Sequence, residues 1–476
     1  MKLLRPTLLT LAVLIGQPAI ANDLPSLGDS SSGIVSPEQE YQLGRAWLSL
    51  LRGQVPQLSD PLLKDYLERS VYRLAETSQL QDRRLEFVLL RSPQLNAFAA
   101  PGGIIGVNGG LFIHAQTEAE YASVMAHELA HLSQRHFARG LEAQKRMQLP
   151  LMAAMLAGVV AAAAGAGDAG IAAIVSTQAA AIQAQRRFSR QNEQEADRIG
   201  IVNLERAGYD PRAMPDMFGR LMRQYRYDQK PPEFLLTHPV SESRIADTRN
   251  RAEQYPQGGI QDSLRYQLMR ARIDLQFEST PGLSAKRFRA MLEEDESLDS
   301  ARYGLALAQI RSAQLQEAAA TLQPLLLKAP NEITYNLAQV ELDITANRMG
   351  EAQKRIKQLL ELYPDNYPVR QAHIDLLIKQ SRLQEAEHEL DRLVGARPRD
   401  PDVWYQVSEV RGLSGNILGL HQARAEFFAL VGDYTQAIEQ LDFAKNRSST
   451  FQTSARIDAR QQQLSDEKRM IEDMLR

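Results

Sequence analysis

The sequence predicts a mainly α protein in two parts: an α+β amino-terminal part with one small sheet, then an all-α solenoid. Three observations carry this. Glu317-Ala318, Glu351-Ala352 and Glu385-Ala386 recur every 34 residues, as do Pro330, Pro364 and Pro398. Short apolar runs broken by Pro101-Gly102-Gly103 and Asn108-Gly109-Gly110 read as strands and turns. Between those runs and the repeats, Thr117–Gly140 reads as one amphipathic helix carrying His127-Glu128-Leu129-Ala130-His131.

Residues 1–21 pair Lys2 and Arg5 with an apolar run from Leu8 to Ile15 and end Ala19-Ile20-Ala21. That is the pattern of a secretory leader cleaved after Ala21, and its apolar core is too short to span a bilayer. The chain has no cysteine, so disulfides are excluded and any metal ligands must be His, Asp or Glu. A bacterial periplasm is the expected compartment. Losing Lys2 and Arg5 takes the formal net charge from -3 to -5, and this mildly acidic balance points to no nucleic-acid partner.

Residues 22–35, rich in Gly, Ser and Pro, form a linker. Ser36-Pro37-Glu38-Gln39 starts a helix with a cap, a proline in the first turn and a capping-box glutamine. A second helix is expected over Pro61–Thr77, a buried strand over Leu85–Leu90, and strand, turn, strand over Asn96–Leu111.

The next helix carries the chemistry. Thr117 caps it, Glu120 is placed to complete a capping box, and Gly140 is the expected stop. His127 and His131 are four residues apart, slightly more than one turn, so both imidazoles share a face and can hold one ion. Glu128, one step round, can meet a water on that ion. With only 8 histidines in 476 residues, this spacing is a specific signal. His136 lies about 140° round the helix from His131 and is expected at the surface. In zincins an edge strand beside the metal receives an extended peptide, which gives Asn96, Ala97 and Phe98 the role of substrate edge strand; a purely structural hairpin is the other reading.

Residues 149–185 are rich in Ala and Gly, with Asp168 their one charge. Two close-packed helices are expected there, with a peripheral membrane contact left open. A catalytic zinc keeps three protein ligands and an open position. The third ligand is expected in Ser189–Gly200, on a helix running to Ala207 and ending at Gly208. Glu193 can bind the ion while Asp197, on the same face, accepts from a ligand imidazole; Glu195 points elsewhere. Further on, His238-Pro239 leads into a helix carrying Arg244. Two roles are open to His238, donating to an oxyanion or covering the metal's open position, and Arg244 can stabilise negative charge or fix a carboxylate.

The order and spacing of HExxH, Glu193-x-x-x-Asp197 and His238-Pro239 with Arg244 beyond resemble the HtpX-like and CAAX prenyl protease family of zinc metallopeptidases, over about residues 36–255. The strand Asn96–Gly103 resembles that family's as well. The resemblance implies that His127, His131 and Glu193 bind zinc, that Glu128 is the catalytic base, and that His238 and Arg244 border the site. Many relatives are integral membrane proteins, a pattern from which this chain departs.

The second part begins near Asp262. Its 34-residue period is that of tetratricopeptide repeats, with alanine where two helices touch and proline after the second. Helices at Leu264–Leu275 and Ala285–Leu292 look like a degenerate first unit. Trp404 opens a later unit, which is expected to slip half a repeat at Gly432-Asp433-Tyr434 and Gln436-Ala437. The tail from Ser454 is expected to be a capping helix, and the solenoid to offer partners a concave surface. The division is therefore 22–261 metallopeptidase, 262–453 repeats and 454–476 terminal helix. Leader, peptidase and repeats together resemble a family of bacterial envelope assembly proteases. That implies a periplasmic zinc endopeptidase acting on unfolded or stalled outer-membrane β-barrel proteins and engaging the barrel assembly machinery through its repeats.

Overall fold

The computed structural model describes residues 35–143, 181–225 and 231–475. The leader, residues 22–34 of the linker and most of the segment 149–185 lie outside the described residues. Among the described residues, no helix is long and apolar enough to cross a membrane.

Helix α1 (Pro37–Gln54) starts on a reciprocal cap: the Gln39 N–H donates to Ser36 Oγ at 3.2 Å and the Ser36 N–H to Gln39 Oε1 at 2.8 Å. In α2 (Pro61–Thr77), Asp60 accepts the Leu62 and Leu63 N–H groups. Strands β1 (Glu86–Leu90), β2 (Ala97–Ala100) and β3 (Ile104–Asn108) form a sheet of order β1-β3-β2, parallel in the first pair and antiparallel in the second. A short α3 (Gly109–His114) leads to α4 (Glu118–Ser133).

Every residue of α4 from Glu118 to Ala130 is buried, so it is the central rod of the domain and not the two-faced helix that the pattern suggested. Thr117 caps it, but Glu120 does not return the bond; its carboxylate takes the Gln116 N–H at 2.6 Å and pairs with Arg220. Asp262 Oδ1 and the Gln261 carbonyl accept the Glu118 and Ala119 N–H groups, each at 3.0 Å. The expected single helix to Gly140 also breaks. Arg135 takes the left-handed conformation (φ 49°), and α5 (His136–Ala143) starts anew with Gly140 inside it.

Helix α6 (Ala181–Arg206) lies across α4, and it ends before Gly208, whose φ is +84°. The crossing is close because Gly200 has no side chain: a Cβ there would sit 3.3 Å from the His127 backbone nitrogen. Helices α7 (Ala213–Tyr225), α8 (Glu233–Thr237) and α9 (Glu242–Ala252, capped by Ser241) complete this part.

The rest is a stack of hairpins: α10 (Leu264–Phe277) with α11 (Pro281–Glu294), α12 (Asp299–Arg311) with α13 (Leu315–Lys328), α14 (Ile333–Thr345) with α15 (Met349–Leu362), α16 (Tyr367–Lys379) with α17 (Leu383–Ala396), α18 (Pro401–Leu413) with α19 (Ile417–Leu430), and α20 (Tyr434–Lys445) with α21 (Phe451–Leu475). Second helices begin at 281, 315, 349, 383, 417 and 451, each 34 residues apart. The expected half-repeat slip at Gly432 is therefore absent; α20 opens the last hairpin in phase. Ala313, Asn347, Ser381 and Gly415, also 34 apart, all turn through positive φ between the paired helices. The terminal helix buries Ile457, Leu464 and Ile471 as the second arm of that hairpin.

No break in the core marks the expected boundary at 262. Tyr266 of α10 packs against Tyr66, Phe112 and Tyr121 with ring centres 5.6–6.0 Å away, and one buried cluster runs from α2 through α4 into the first repeats. Later hairpins return to the amino-terminal part. Lys64 pairs with Asp400 at 3.3 Å and with Asp402, Arg397 with Glu68, and Arg399 with Glu86 at 2.8 Å.

Candidate metal centre

Three helices and one turn converge beside the free edge of the sheet. His127 and His131 project from the last turns of α4, Glu193 and Asp197 from α6, Arg244 from α9, and His238 from the turn after α8. His127 Nε2 lies 3.1 Å from His131 Nε2 and 3.4 Å from Glu193 Oε2; His131 Nε2 lies 3.4 Å from Glu193 Oε1. His238 Nδ1 joins them, 3.1 Å from Glu193 Oε1 and 3.4 Å from His127 Nε2. One ligand atom from each of His127, His131, Glu193 and His238 fits within 4.8 Å of all the others. Three imidazole nitrogens and a carboxylate facing one another carry lone pairs that repel unless a cation or protons lie among them. The donor set, nitrogen and oxygen without sulfur, suits a divalent ion such as zinc.

Second contacts orient these groups. His127 Nδ1 faces Asp197 Oδ1 at 3.0 Å. Asp197 is gripped by Arg244, Nε to Oδ2 and Nη2 to Oδ1, both at 2.7 Å, and Arg244 Nη1 reaches Glu193 Oε2 at 3.0 Å. Of the two roles open to Arg244, its geometry fits fixing carboxylates: the guanidinium is buried and committed to them.

Burial works against the imidazolium form of His127, but Asp197 and Glu193 outweigh it and raise its pKa to about 10. For His131 burial prevails and lowers it to about 3. Glu193 is also buried, yet the histidines around it hold its carboxyl well below the usual range. Burial pushes Glu128 upward. Glu128 Oε1 is enclosed, lacks a hydrogen-bond partner and lies 3.5 Å from His238 Nε2. An enclosed carboxylate oxygen left without a donor beside four converging ligand atoms is what a site built to take an ion and its water presents.

The cluster opens on a cavity of about 420 Å³ walled by Phe98, Ala99, Leu132 and Phe137. Strand β2 is an edge strand, as expected. The Asn108 N–H donates to the Asn96 carbonyl, so Asn96 and Phe98 pair inward with β3 and the peptide groups of Ala97 and Ala99 face the free edge. Of the expected strand residues, only Ala97 presents its backbone outward. Ala99, one residue beyond the expected set, does so too, and its N–H donates to Glu128.

His136 corrects a second expectation. It is buried, not on the surface, with Nδ1 2.9 Å from His131 Nδ1 and Nε2 3.2 Å from Glu195 Oε2. Only the break at Arg135 makes this contact; on a continuous helix His136 faces away. Glu195, set aside because it leaves the Glu193 face, is that partner.

The sequence signature of peptidase family M48 matches residues 61–252, and that of a tetratricopeptide repeat matches 344–407. A putative beta-barrel assembly-enhancing protease of Vibrio cholerae serotype O1 is 38% identical over 429 residues, which span 89% of this chain and 88% of that protein. The beta-barrel assembly-enhancing protease of Escherichia coli K12 is 38% identical over 351 residues, 72% of this chain and 71% of its own. The mitochondrial metalloendopeptidase OMA1 of Arabidopsis thaliana is 33% identical over 170 residues, 36% of this chain and 32% of that one.

Proposed function

This chain belongs to peptidase family M48, and from that premise we propose that it is a periplasmic zinc-dependent endopeptidase that promotes assembly of outer-membrane β-barrel proteins and degrades those that stall. The observation that carries the hydrolytic part is the convergence of His127, His131 and Glu193 with Glu128 beside them. The named activity of the two bacterial relatives supports the assembly part. We take residues 22–261 as the metallopeptidase domain, 262–453 as the repeats and 454–476 as the terminal helix, with the leader removed after Ala21.

His127, His131 and Glu193 would hold the zinc, which would supply Lewis acidity at the site. Asp197 and Arg244 keep His127 and Glu193 in place. Glu128 takes the proton of the attacking water and passes it to the departing amine. The outward peptide groups of Ala97 and the outward carbonyl of Ala99 receive an extended segment by strand addition, and the apolar wall of Phe98, Leu132 and Phe137 accepts its side chains. Unfolded or stalled barrel strands suit this mode because they offer unpaired backbone. Tetratricopeptide repeats are protein-binding units, and their partner here is the barrel assembly machinery.

A second reading rests on His238. Its Nδ1 stands among the ligand atoms, where an incoming peptide or water needs room. In this reading the protein works mainly as a chaperone or scaffold whose cleavage is tightly gated. Barrel assembly and client cleavage, measured together for Glu128→Gln, separate the two. If assembly persists while cleavage disappears, binding is the main role; if both fail, hydrolysis is.

A further inference from the structure

His131 turns Nε2 toward the ligand cluster and Nδ1 away from it. We propose that Glu195 and His136 form a directed hydrogen-bond relay that fixes the tautomer and orientation of His131 as a metal ligand, making His136 a positioning residue. This rests on the metal-centre reading above.

The direction follows from donors and acceptors. An imidazole that offers the Nε2 lone pair to a cation carries its proton on Nδ1. For His131 that N–H faces His136 Nδ1 at 2.9 Å, so His136 must accept there and carry its own proton on Nε2. That N–H donates to Glu195 Oε2 at 3.2 Å, and the Arg139 guanidinium donates to the same oxygen at 2.9 Å. A carboxylate only accepts, so the chain runs one way, from His131 through His136 to Glu195. The opposite polarity puts the His131 proton on Nε2, pointing at His127 Nε2 3.1 Å away, where it would displace the ion.

The two ligand histidines thus receive the same kind of support over different reaches. A metal-bound histidine ordinarily gives its second N–H to a carboxylate or carbonyl. His127 turns Nδ1 to a carboxylate oxygen, Asp197 Oδ1, 3.0 Å away; His131 reaches its carboxylate, Glu195, through a second ring. The backbone shows how this is built. Arg135 adopts a left-handed conformation unfavourable to a residue with a side chain (φ 49°). It is held there by Glu40, 3.0 Å from Nε, and by the Val35 carbonyl, 2.8 Å from Nη2. That turn folds His136 back over His131 with only 6% of its surface exposed.

The test uses the full-length protein with zinc as the probe. Zinc affinity is measured by competition with a chelator, the melting temperature of the metal-free protein checks folding, and nitrogen-15 shifts of labelled histidines report which nitrogen of His131 is protonated. His136→Phe, which removes the acceptor, is expected to weaken zinc binding about 10–100-fold with the metal-free melting temperature unchanged. In His136→Asn, Oδ1 can accept in place of Nδ1, and affinity is expected to stay near wild type. Glu195→Ala should fall between them. His136→Phe binding zinc like wild type, or His136→Asn losing as much as His136→Phe, overturns the relay. If His136→Phe does not fold, Glu195→Ala decides alone: unchanged affinity with the His131 proton still on Nδ1 overturns the relay, and a loss supports it. A wild-type protein that binds no zinc overturns the metal-centre reading and the relay with it; wild-type binding with an indifferent His136→Phe overturns the relay alone.

Discussion

Arg244 and Asp197 meet in a two-pronged pair, both prongs 2.7 Å long, with their side chains only 5% and 2% exposed. The pair ties α9 to α6, and through Asp197 it reaches His127 on α4. Because Arg244 also touches Glu193, one guanidinium supports two of the residues that converge on the candidate ion.

Truncating Arg244 leaves two buried carboxylates without their cation. Arg244→Ala is expected to lower folding stability by about 3–5 kcal/mol, since breaking a buried pair strands a charge. Arg244→Lys should recover little, because an ammonium cannot reproduce the planar fork. Urea unfolding measures both. A loss below about 1 kcal/mol, the value of an exposed pair, contradicts this account.

Glu128 is 1% exposed and stands beside the candidate ligands without being one of them. Glu128→Gln is expected to cut cleavage of casein by at least about 10²-fold, the usual contribution of a general base, while zinc content is unchanged. Activity within a few-fold of wild type would remove Glu128 from the chemistry.

His238 distinguishes a gate from an oxyanion donor. Its Nδ1 contacts Glu193 and its Nε2 faces Glu128, so in the gated reading proposed above it stands where an extended peptide has to enter. His238→Ala is therefore expected to raise the rate of peptide cleavage. A fall in kcat with KM unchanged assigns His238 to the oxyanion instead.

Much of this centre was legible because helical spacing is geometry. His127 and His131 at four residues, and Glu193 and Asp197 at four, must share faces on any helix, and they do. His136 was not, because an Arg taking positive φ leaves no trace in composition or period; the contact depends on a clamp from Glu40, almost a hundred residues earlier. The repeat period survived even where its residues did not: Gly432-Asp433-Tyr434 looks out of phase, yet α20 opens its hairpin in step. The return of the repeats onto α2 and β1 was also invisible, since it is marked by ion pairs more than 300 residues apart in sequence, such as Lys64 with Asp400.

That pair makes the contact between peptidase and repeats sensitive to acid. Burial raises the carboxyl pKa of Asp400, but Lys64 and Arg397 outweigh it and hold it at about 2. The folded value lies below the unfolded one of about 3.9, so the stabilisation is present above that value and is lost as the pH falls toward 2. It is on the order of 2 kcal/mol. Melting curves of wild type and Asp400→Asn should converge between about pH 4 and pH 2; a constant gap across that range contradicts the assignment.

The most direct measurement is the zinc bound by the purified full-length protein at fixed free zinc, for wild type and Glu193→Ala. Roughly one zinc per chain is expected in the wild type, with a severe loss of affinity when the Glu193 carboxylate is removed. Equal zinc binding by both, or none by the wild type, contradicts it.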